Sequence, residues 1–586
     1  MKGCFFKLLQ IDVTNKTFCE KPIDKKLMAG SIGGKGLATQ LLLDHNPAGV
    51  DALGPDNHLI IVKGPLSGSS LYGSSRYGLF AKSPLTGFYG ESYSGGSFAG
   101  PLARTGYDAV IIKGASKSPI WIEINSDTVL FHDAGEIWGK DTFETEDYLK
   151  NKSSGKHAGV MVIGPAGENL VRFAVIKNDK YRVAGRTGMG AVLGSKKIKG
   201  IICYGDKKPV FHDPDGIKEY KKEMLGRLKD DKVVNAYKSM GTPMMVDMLN
   251  NAGAFPTEYW KRGRFEKKDR INASAMAERL NPVPHACRDC FLACGKYGKV
   301  QQGRHKGLVL EGPEYETIYS FGGLCMIDEI EEIAYLNRLC DSLGVDTISS
   351  GNIAAFAIEA VKKGKINEAL EYGSADDVAT LIKKIVNRQG VGGILAEGIR
   401  AAAEEFDMQD HAVHVKGMEP AGYDPRILKG MGLAYAVCER GACHLRSTFY
   451  KAELAGLIAP DTLEGKAELF TDFEDRCTLF DSFILCRFFR DIYPWEELSK
   501  ILFLATGLSY DQDQLALIAG RAKDNTRRFN IREGLTADDD TLPPRFFNHK
   551  LEGNKGITRD ELKKLVSDYY EIRGWDTDGV PKNIDG

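Results

Sequence analysis

The chain has no stretch of 18 or more apolar residues, which excludes a membrane-spanning helix of ordinary length. Neither sign of charge is in excess: 78 lysines and arginines face 79 aspartates and glutamates, for a formal net charge of −1. Without a basic surplus there is no electrostatic footprint of a nucleic-acid binder or of a membrane-surface protein. Internal repeats and low-complexity tracts are lacking as well, so solenoid and fibrous architectures drop out. The opening residues, MKGCFFKLLQID, have no long apolar core of the kind a secretory leader needs, because Lys7 and Asp12 interrupt it. A cytoplasmic location is therefore expected. There the 12 cysteines stay mostly reduced, and their spacing carries more information than their number.

What is present is an ordinary globular balance, 43% apolar and 27% charged, on 586 residues, enough for several domains. Glycine stands out: 65 residues, about 11% against a usual ~7%. The glycines crowd into the first 200 positions, as turns and close backbone approaches require. Short apolar or alternating runs at 7–13, 58–66, 109–114, 120–124 and 159–164 predict strands, with a turn at Asn15-Lys16. The stretch 72–100 is too rich in Gly and Ser to be one element. After about residue 208 helical spacing takes over, as in 326–344, where Gly344 is the stop, in 374–390 and in 474–489. The fold class expected is α+β: a β-rich domain over 1–208, then two mainly helical domains over 209–415 and 416–586.

The strongest local motif is HACRDCFLACG at 285–295, with Cys287, Cys290 and Cys294 in C-x2-C-x3-C spacing. Three thiolates this close can hold three corners of a [4Fe–4S] cube, the fourth ligand coming from elsewhere. A zinc site would ask for a second Cys pair or histidines nearby, and neither is there. The spacing is the reverse of the C-x3-C-x2-C of radical enzymes that use S-adenosylmethionine. Cys325, Cys340, Cys438, Cys443, Cys477 and Cys486 are all open as the fourth ligand, and spacing does not choose among them. His411 and His414, in HAVHV, read as an exposed strand edge.

Further segments run in a fixed order along the chain: GSIGGKGLA at 30–38, GRTGMGAVLGSK at 185–196, the cysteine triplet, EGPEYET at 311–317 and CDSLGVDTIS at 340–349. YDPR at 423–426, RGACHLR at 440–446, DSFILC at 481–486 and YYEIRGW at 569–575 complete the series. With these motifs the chain resembles the aldehyde ferredoxin oxidoreductase family over essentially its whole length. The resemblance implies a tungsten (or molybdenum) centre held by two pterins in the β-rich domain, beside one [4Fe–4S] cluster. It makes Cys486 the fourth cluster ligand and places the same residue against one pterin. The family's D-x-x-G-[LV]-[DC] motifs, which meet the pterin N–H edge with a carboxylate, correspond here to Asp341 through Asp346 and to Asp481 through Cys486, with Ile484 where glycine is usual. Arg76, Gly95, Arg182 and Val183 match phosphate- and pterin-binding positions. Arg446 stands where a lysine reaches a pterin, and Tyr93 where an Asn carbonyl helps to hold a Mg2+ bridging the pterin phosphates.

The resemblance also implies the chemistry. His444 and Glu316 match the acid–base pair beside the metal, His444 polarising the aldehyde oxygen and Glu316 assisting proton removal from water. The expected reaction takes an aldehyde to a carboxylic acid and passes two electrons through the cluster to ferredoxin or an iron–sulfur subunit, which docks near the cysteine loop. The alternative is the catalytic subunit of a low-potential aromatic-ring CoA-ester reductase, with the same cofactors. Relatives bind an iron across a dimer interface through two Glu-x-x-His pairs. The stretches Tyr335–Arg338 and Asp376–Ala379 lack those histidines, so a homodimer, if formed, is expected without that iron.

Overall fold

The protein is described by a computed structural model over residues 1–582. Two six-stranded sheets occupy the N-terminal third. The first contains β1 (Lys7–Asp12), β2 (Thr17–Pro22), β3 (Leu59–Val62), β4 (Tyr77–Lys82), β5 (Tyr89–Ser94) and β6 (Ala109–Lys113), in spatial order β2-β1-β6-β3-β4-β5. Only β1 and β6 run parallel. The second contains β7 (Ile120–Ile124), β8 (Val129–Asp133), β9 (Gly159–Val162), β10 (Ile176–Asn178), β11 (Arg182–Ala184) and β12 (Ile198–Cys203), in order β11-β10-β9-β12-β7-β8.

Strand periodicity explains how the sheets stack. Leu59 and Ile61 of β3 and Ile120, Ile122 and Ile124 of β7 enter one core between the two sheets. Ile60 and Val62 point the other way, onto Leu37, Leu41 and Leu42 of the helix Gly34–His45. Each fully buried Leu or Ile of this kind contributes roughly 1.5–3 kcal/mol. The predicted strands are all present, and the glycine-rich stretch divides into β4, β5 and the helix Ala99–Arg104. The chain is α+β, with a mostly helical remainder whose largest apolar core draws on both helical parts and also takes in Leu85, Ala166 and Phe173 of the N-terminal third.

Two helix ends position the site, and they are built alike. The helix Ile330–Leu343 carries Asp341 in its last turn and stops at Gly344, which takes the left-handed conformation (φ 75°, ψ 46°). Two residues on, Asp346 caps the helix Thr347–Lys362 through Ser349 N (3.0 Å). The helix Lys466–Phe483 carries Asp481 in its last turn and stops at Ile484 (φ 56°, ψ 48°), and Cys486 follows two residues on. Ile484 therefore keeps the turn that glycine makes without strain, at a cost of about 1–2 kcal/mol. The expected helical run 474–489 thus ends six residues early, because the chain must turn to present Cys486. Gly34 (φ 42°) explains part of the GSIGGKGLA motif: a Cβ there would lie 2.2 Å from the Ser482 carbonyl oxygen, so only glycine lets the first domain seat against this helix end.

The HAVHV segment is not a strand edge. It is an irregular turn whose only ladder contact is the isolated Val415–Met418 bridge, with Ala412 and Val413 buried and both histidines half-buried. His414 Nδ1 accepts Gly417 N (3.3 Å), a local turn bond.

Candidate active site

The cysteine triplet lies in the loop 286–294, which joins β13 (Val283–His285) to β14 (Gly295–Lys299). β14 pairs in turn with β15 (Val309–Glu311). Pairing of His285 with Gly295 closes the loop, and Asp289 and Ala293 turn it with positive φ. Cys486 is brought to this loop from far along the chain by the hydrogen bond from its N–H to the Gly73 carbonyl (2.9 Å). Burial pushes the Cys290 thiol up to about 12 and Cys294 upward as well, and Cys486 is the next largest influence on both. The four thiols Cys287, Cys290, Cys294 and Cys486 are thus mutual neighbours. Among the described residues no three His, Cys, Asp or Glu side chains close round a point as a single ion requires. The C-x2-C-x3-C order of three of them in the sequence is the pattern that suits a cluster better than zinc. Buried thiols of this kind become thiolates when metal replaces their protons. The other candidates for fourth ligand sit elsewhere: Cys325 donates to the Gly351 carbonyl (3.3 Å), and Cys477 lies 3.9 Å from Thr448 Oγ1.

Gly95 faces Cys287 directly. A Cβ there would stand 2.8 Å from Cys287 Sγ and 3.3 Å from Arg76 Nη1, so a side chain would fill the gap between cluster loop and arginine. Arg76 Nη2 donates to the Tyr93 carbonyl (3.2 Å). The Tyr93 phenol donates to Glu91 (2.7 Å), and the Arg446 guanidinium lies over its ring at 5.1 Å. Arg182 pairs with Glu311 at 2.9 Å. Val183, its neighbour on β11, turns its side chain outward.

Around Asp481 the charges are dense and buried. Arg446 Nη1 lies 2.6 Å from both Glu91 Oε1 and Asp481 Oδ2, and Arg487 Nη2 lies 2.5 Å from the same Asp481 oxygen. Asp341 is engaged by Lys177 and by Asn337 Nδ2 (3.0 Å), and Asp346 by Arg186 at 3.4 Å. Burial raises the carboxyls of Asp341 and Asp346 above the usual carboxylate range.

His444 Nε2 stands 3.4 Å from Glu316 Oε1, while Glu316 Oε2 accepts the Gly422 N–H (3.1 Å). Burial pushes Glu316 up to about 8, opposed by Gly422 N–H and Arg186 and reinforced by Cys443 and Asp346. Burial also pushes His444 down to about 3, with Cys443 opposing and Arg186, Arg440 and Arg446 reinforcing. Near neutral pH the pair therefore holds one proton, on the carboxyl, beside a neutral imidazole. Glu316 sits in the short helix Tyr315–Thr317, which continues into a π-helical turn, Ile318–Leu324. Interruptions of this kind recur at functional sites. Tyr315 donates to the Gly422 carbonyl, and Tyr435 to the carbonyls of Ala421 (3.0 Å) and Tyr423 (3.1 Å), which fixes the facing loop. Tyr423 stacks on His444 (5.5 Å between centroids) and on Tyr450 (4.0 Å).

Several site residues escape sequence reasoning. Glu91, Lys177 and Arg186 answer predicted residues across long sequence separations. Cys443 lies beside His444, its sulfur accepting Arg440 Nη2 (2.8 Å) and Leu445 N (3.3 Å). Burial would raise this thiol, yet the Cys438 hydrogen bond, Arg440 and Arg446 hold it well below the usual range. The motif RGACHLR was the available signal. YDPR is explained by support: Arg426 folds back on Asp424 (2.6 Å) and donates to the Trp260 carbonyl (2.6 Å), bracing Tyr423.

Buried polar atoms nearly always have partners, yet here many have none. Arg446 Nε, Arg440 Nε, Arg487 Nη1, Ser447 Oγ and Ser482 Oγ lie around Asp481, and Glu419 Oε1 and Glu316 Oε1 lie toward Asp346. Donors and acceptors left open on both sides of one buried region suit a large polar ligand with phosphates and an N–H edge, as a bis-pterin has.

Arg304, in the loop between β14 and β15, lies 2.6 Å from Glu332 of the helix Ile330–Leu343 and 2.7 Å from Asp376, next to the stretches 335–338 and 376–379 that lack the histidines. Metal analysis of the purified protein is expected to give no mononuclear iron beyond the cluster. A stoichiometric ferrous or ferric signal that survives Arg304→Ala would contradict this.

The family model described as the N-terminal domain of aldehyde ferredoxin oxidoreductase matches residues 8–205, and that for its domains 2 and 3 matches residues 219–584. The chain is 34% identical to the tungsten-containing aldehyde ferredoxin oxidoreductase of Pyrococcus furiosus, over 99% of this chain and 98% of that one. It is equally similar, over the same shares, to the enzyme of that name from Thermococcus kodakarensis. An aliphatic sulfonate oxidoreductase subunit of Pyrococcus furiosus is 29% identical over 98% and 95%. The solved active-site complex BamBC of benzoyl coenzyme A reductase, in complex with 1,5-dienoyl-CoA, superposes with a TM-score of 0.86 over 99% of this chain and 96% of that one; at 22% identity this speaks for the fold. With family models covering nearly the whole chain and relatives at 34% identity along its full length, the chain belongs to the aldehyde ferredoxin oxidoreductase family.

Proposed function

We propose that the protein oxidises aldehydes to carboxylic acids and passes the electrons to an iron–sulfur partner. The observation that carries this reading is the buried His444–Glu316 pair at 3.4 Å, set beside a shell of unpartnered polar atoms, in a chain that also gathers four thiols. One aldehyde and one water give one carboxylic acid, two protons and two electrons, so two one-electron acceptors are reduced per turnover. When bound, the tungsten bis-pterin centre supplies the two-electron sink and the [4Fe–4S] cluster the single-electron exit. Asp341, Asp346, Asp481 and Arg446 would hold the pterins, Arg76, Gly95 and Arg182 with the backbone at Tyr93 and Val183 would serve their phosphates and a bridging Mg2+, and Cys287, Cys290, Cys294 and Cys486 would hold the cluster.

The protein's own groups do the rest. His444, neutral at working pH, donates a ring N–H to the aldehyde oxygen and draws charge from the carbonyl carbon. Glu316, in its ionised form, takes the proton from water. Tyr423 and Tyr450 wall the site with aromatic faces, which favours apolar or aromatic aldehydes. An aldehyde panel with a viologen acceptor, run on protein purified without oxygen, tests this. Activity on no aldehyde, in protein that holds tungsten and iron, would overturn the reading.

The pH dependence follows from Glu316. Its proton must leave before it can act as base, so kcat/KM is expected to rise as pH climbs through about 8. A profile flat from pH 6 to 9 would remove Glu316 as the base.

A further inference from the structure

Beside the cysteine loop a surface cleft of about 320 Å³ opens, and its charge is one-sided. Arg104, Lys207, Lys208 and Arg288 line it, against the single carboxylate of Asp289. The two arginines converge. A Cβ on Gly100 would lie 3.6 Å from Arg104 Nη1 and 3.7 Å from Arg288 Nη1, so both guanidinium groups reach over the same glycine. Neither has a carboxylate at hydrogen-bond distance: Arg104 Nη2 donates to the His157 carbonyl (3.0 Å), and Arg288 Nε is 3.8 Å from Asp289. Lys207 has only long contacts, 3.6 Å to Asp206 and 3.9 Å to Asp127. Like charges held together with only loosely placed counterions repel, and an approaching anion relieves that repulsion.

The floor of the cleft is tied to the cluster loop. Ser75 Oγ donates to the Gly96 carbonyl (2.6 Å), as does Arg288 N (3.3 Å), and Gly96 N donates to Cys287 Sγ (3.2 Å). A partner seated here would be one residue layer from a cluster thiol, where a single electron has a short way out. We propose that this cleft is the docking surface for the electron acceptor, an acidic iron–sulfur protein whose surface carboxylates enter between Arg104 and Arg288. The inference deepens the proposed function and rests on it for the direction of electron flow. Attraction of this kind acts mainly on encounter, so it belongs in KM and in salt dependence and not in the chemical step.

The test uses the holoenzyme with Arg104→Glu, Arg288→Glu and both together, assayed with an acidic ferredoxin and, separately, with methyl viologen. The double variant is expected to raise the KM for ferredoxin by roughly tenfold or more and to lose the salt dependence of wild type, with the viologen rate unchanged. Arg104→Lys with Arg288→Lys should keep wild-type behaviour. Arg104→Glu, remote from the cysteines in sequence, keeps the test valid if Arg288→Glu disturbs the cluster loop, which iron content and EPR would reveal. An unchanged ferredoxin KM with wild-type salt dependence overturns the proposal. So does binding of inorganic phosphate that is lost in Arg104→Glu while ferredoxin kinetics stay unchanged, since the cleft is then a small-anion site. If no aldehyde is oxidised even with viologen, the proposed function fails instead. The docking surface is then still decided by calorimetric binding of ferredoxin to wild type and to the double variant.

Discussion

Replacing Glu316 with Gln is expected to lower kcat by about 10²–10⁴-fold, the usual worth of a positioned acid or base, while tungsten and iron contents stay at wild-type levels. The change is close to isosteric, and the amide still accepts the Gly422 N–H through its carbonyl oxygen, so the loop that bears Tyr423 keeps its place. What goes is the capacity to take a proton. The remaining rate should no longer rise through pH 8, because the group whose burial sets that limb is gone. His444→Ala should cost a comparable factor, and the double variant little more than either single one, since residues that act as a unit lose their function together. Wild-type turnover in Glu316→Gln would mean that water is activated elsewhere. A variant that lost its tungsten would instead show that Glu316 supports the ligand shell, and comparing metal content with kcat separates the two outcomes.

How far the site could be read in advance depended on whether its signal was local. Five strands of the first two sheets, β1, β3, β6, β7 and β9, were legible because alternation and flanking turn residues lie within a few positions of each other: Leu59 to Val62 reads the same in the chain and in the fold. Gly344 was legible as a stop because glycine marks a left-handed residue. Ile484 was not, because nothing in an isoleucine announces φ 56°, and the helix expected to run on to 489 ends there. The cysteine triplet was visible as spacing, yet Cys486 reaches it through a hydrogen bond to Gly73, a contact more than four hundred residues apart in sequence. Composition and periodicity carry no record of such pairings. The same holds for the partners of Arg446 and Asp346. HAVHV misled because two histidines in a short apolar run look like an edge strand, while the fold uses the segment as a turn packed on Tyr259, whose hydroxyl accepts the Val413 N–H (3.1 Å).

The choice of fourth cluster ligand gives the second large effect. Cys290→Ser and Cys486→Ser are each expected to abolish ferredoxin reduction and to deplete cluster iron and sulfide, with tungsten retained. Serine is a harder and more weakly acidic ligand than cysteine, so it holds iron poorly where four thiolates are needed. The tungsten shell survives because Asp341, Asp346 and Arg446 are untouched, and because the backbone N–H that anchors residue 486 to Gly73 does not depend on its side chain. Cys477→Ser is the control. It too is a cysteine of the last helical region, buried, on the helix that carries Asp481, but its sulfur faces Thr448 and not the loop 286–294. Iron content should stay at wild-type level in that variant. If Cys477→Ser loses the cluster and Cys486→Ser keeps it, Cys486 is not the fourth ligand. If both keep it, the fourth ligand is another group, and Cys340, Cys438 and Cys443, which the sequence spacing leaves open, become the residues to replace next.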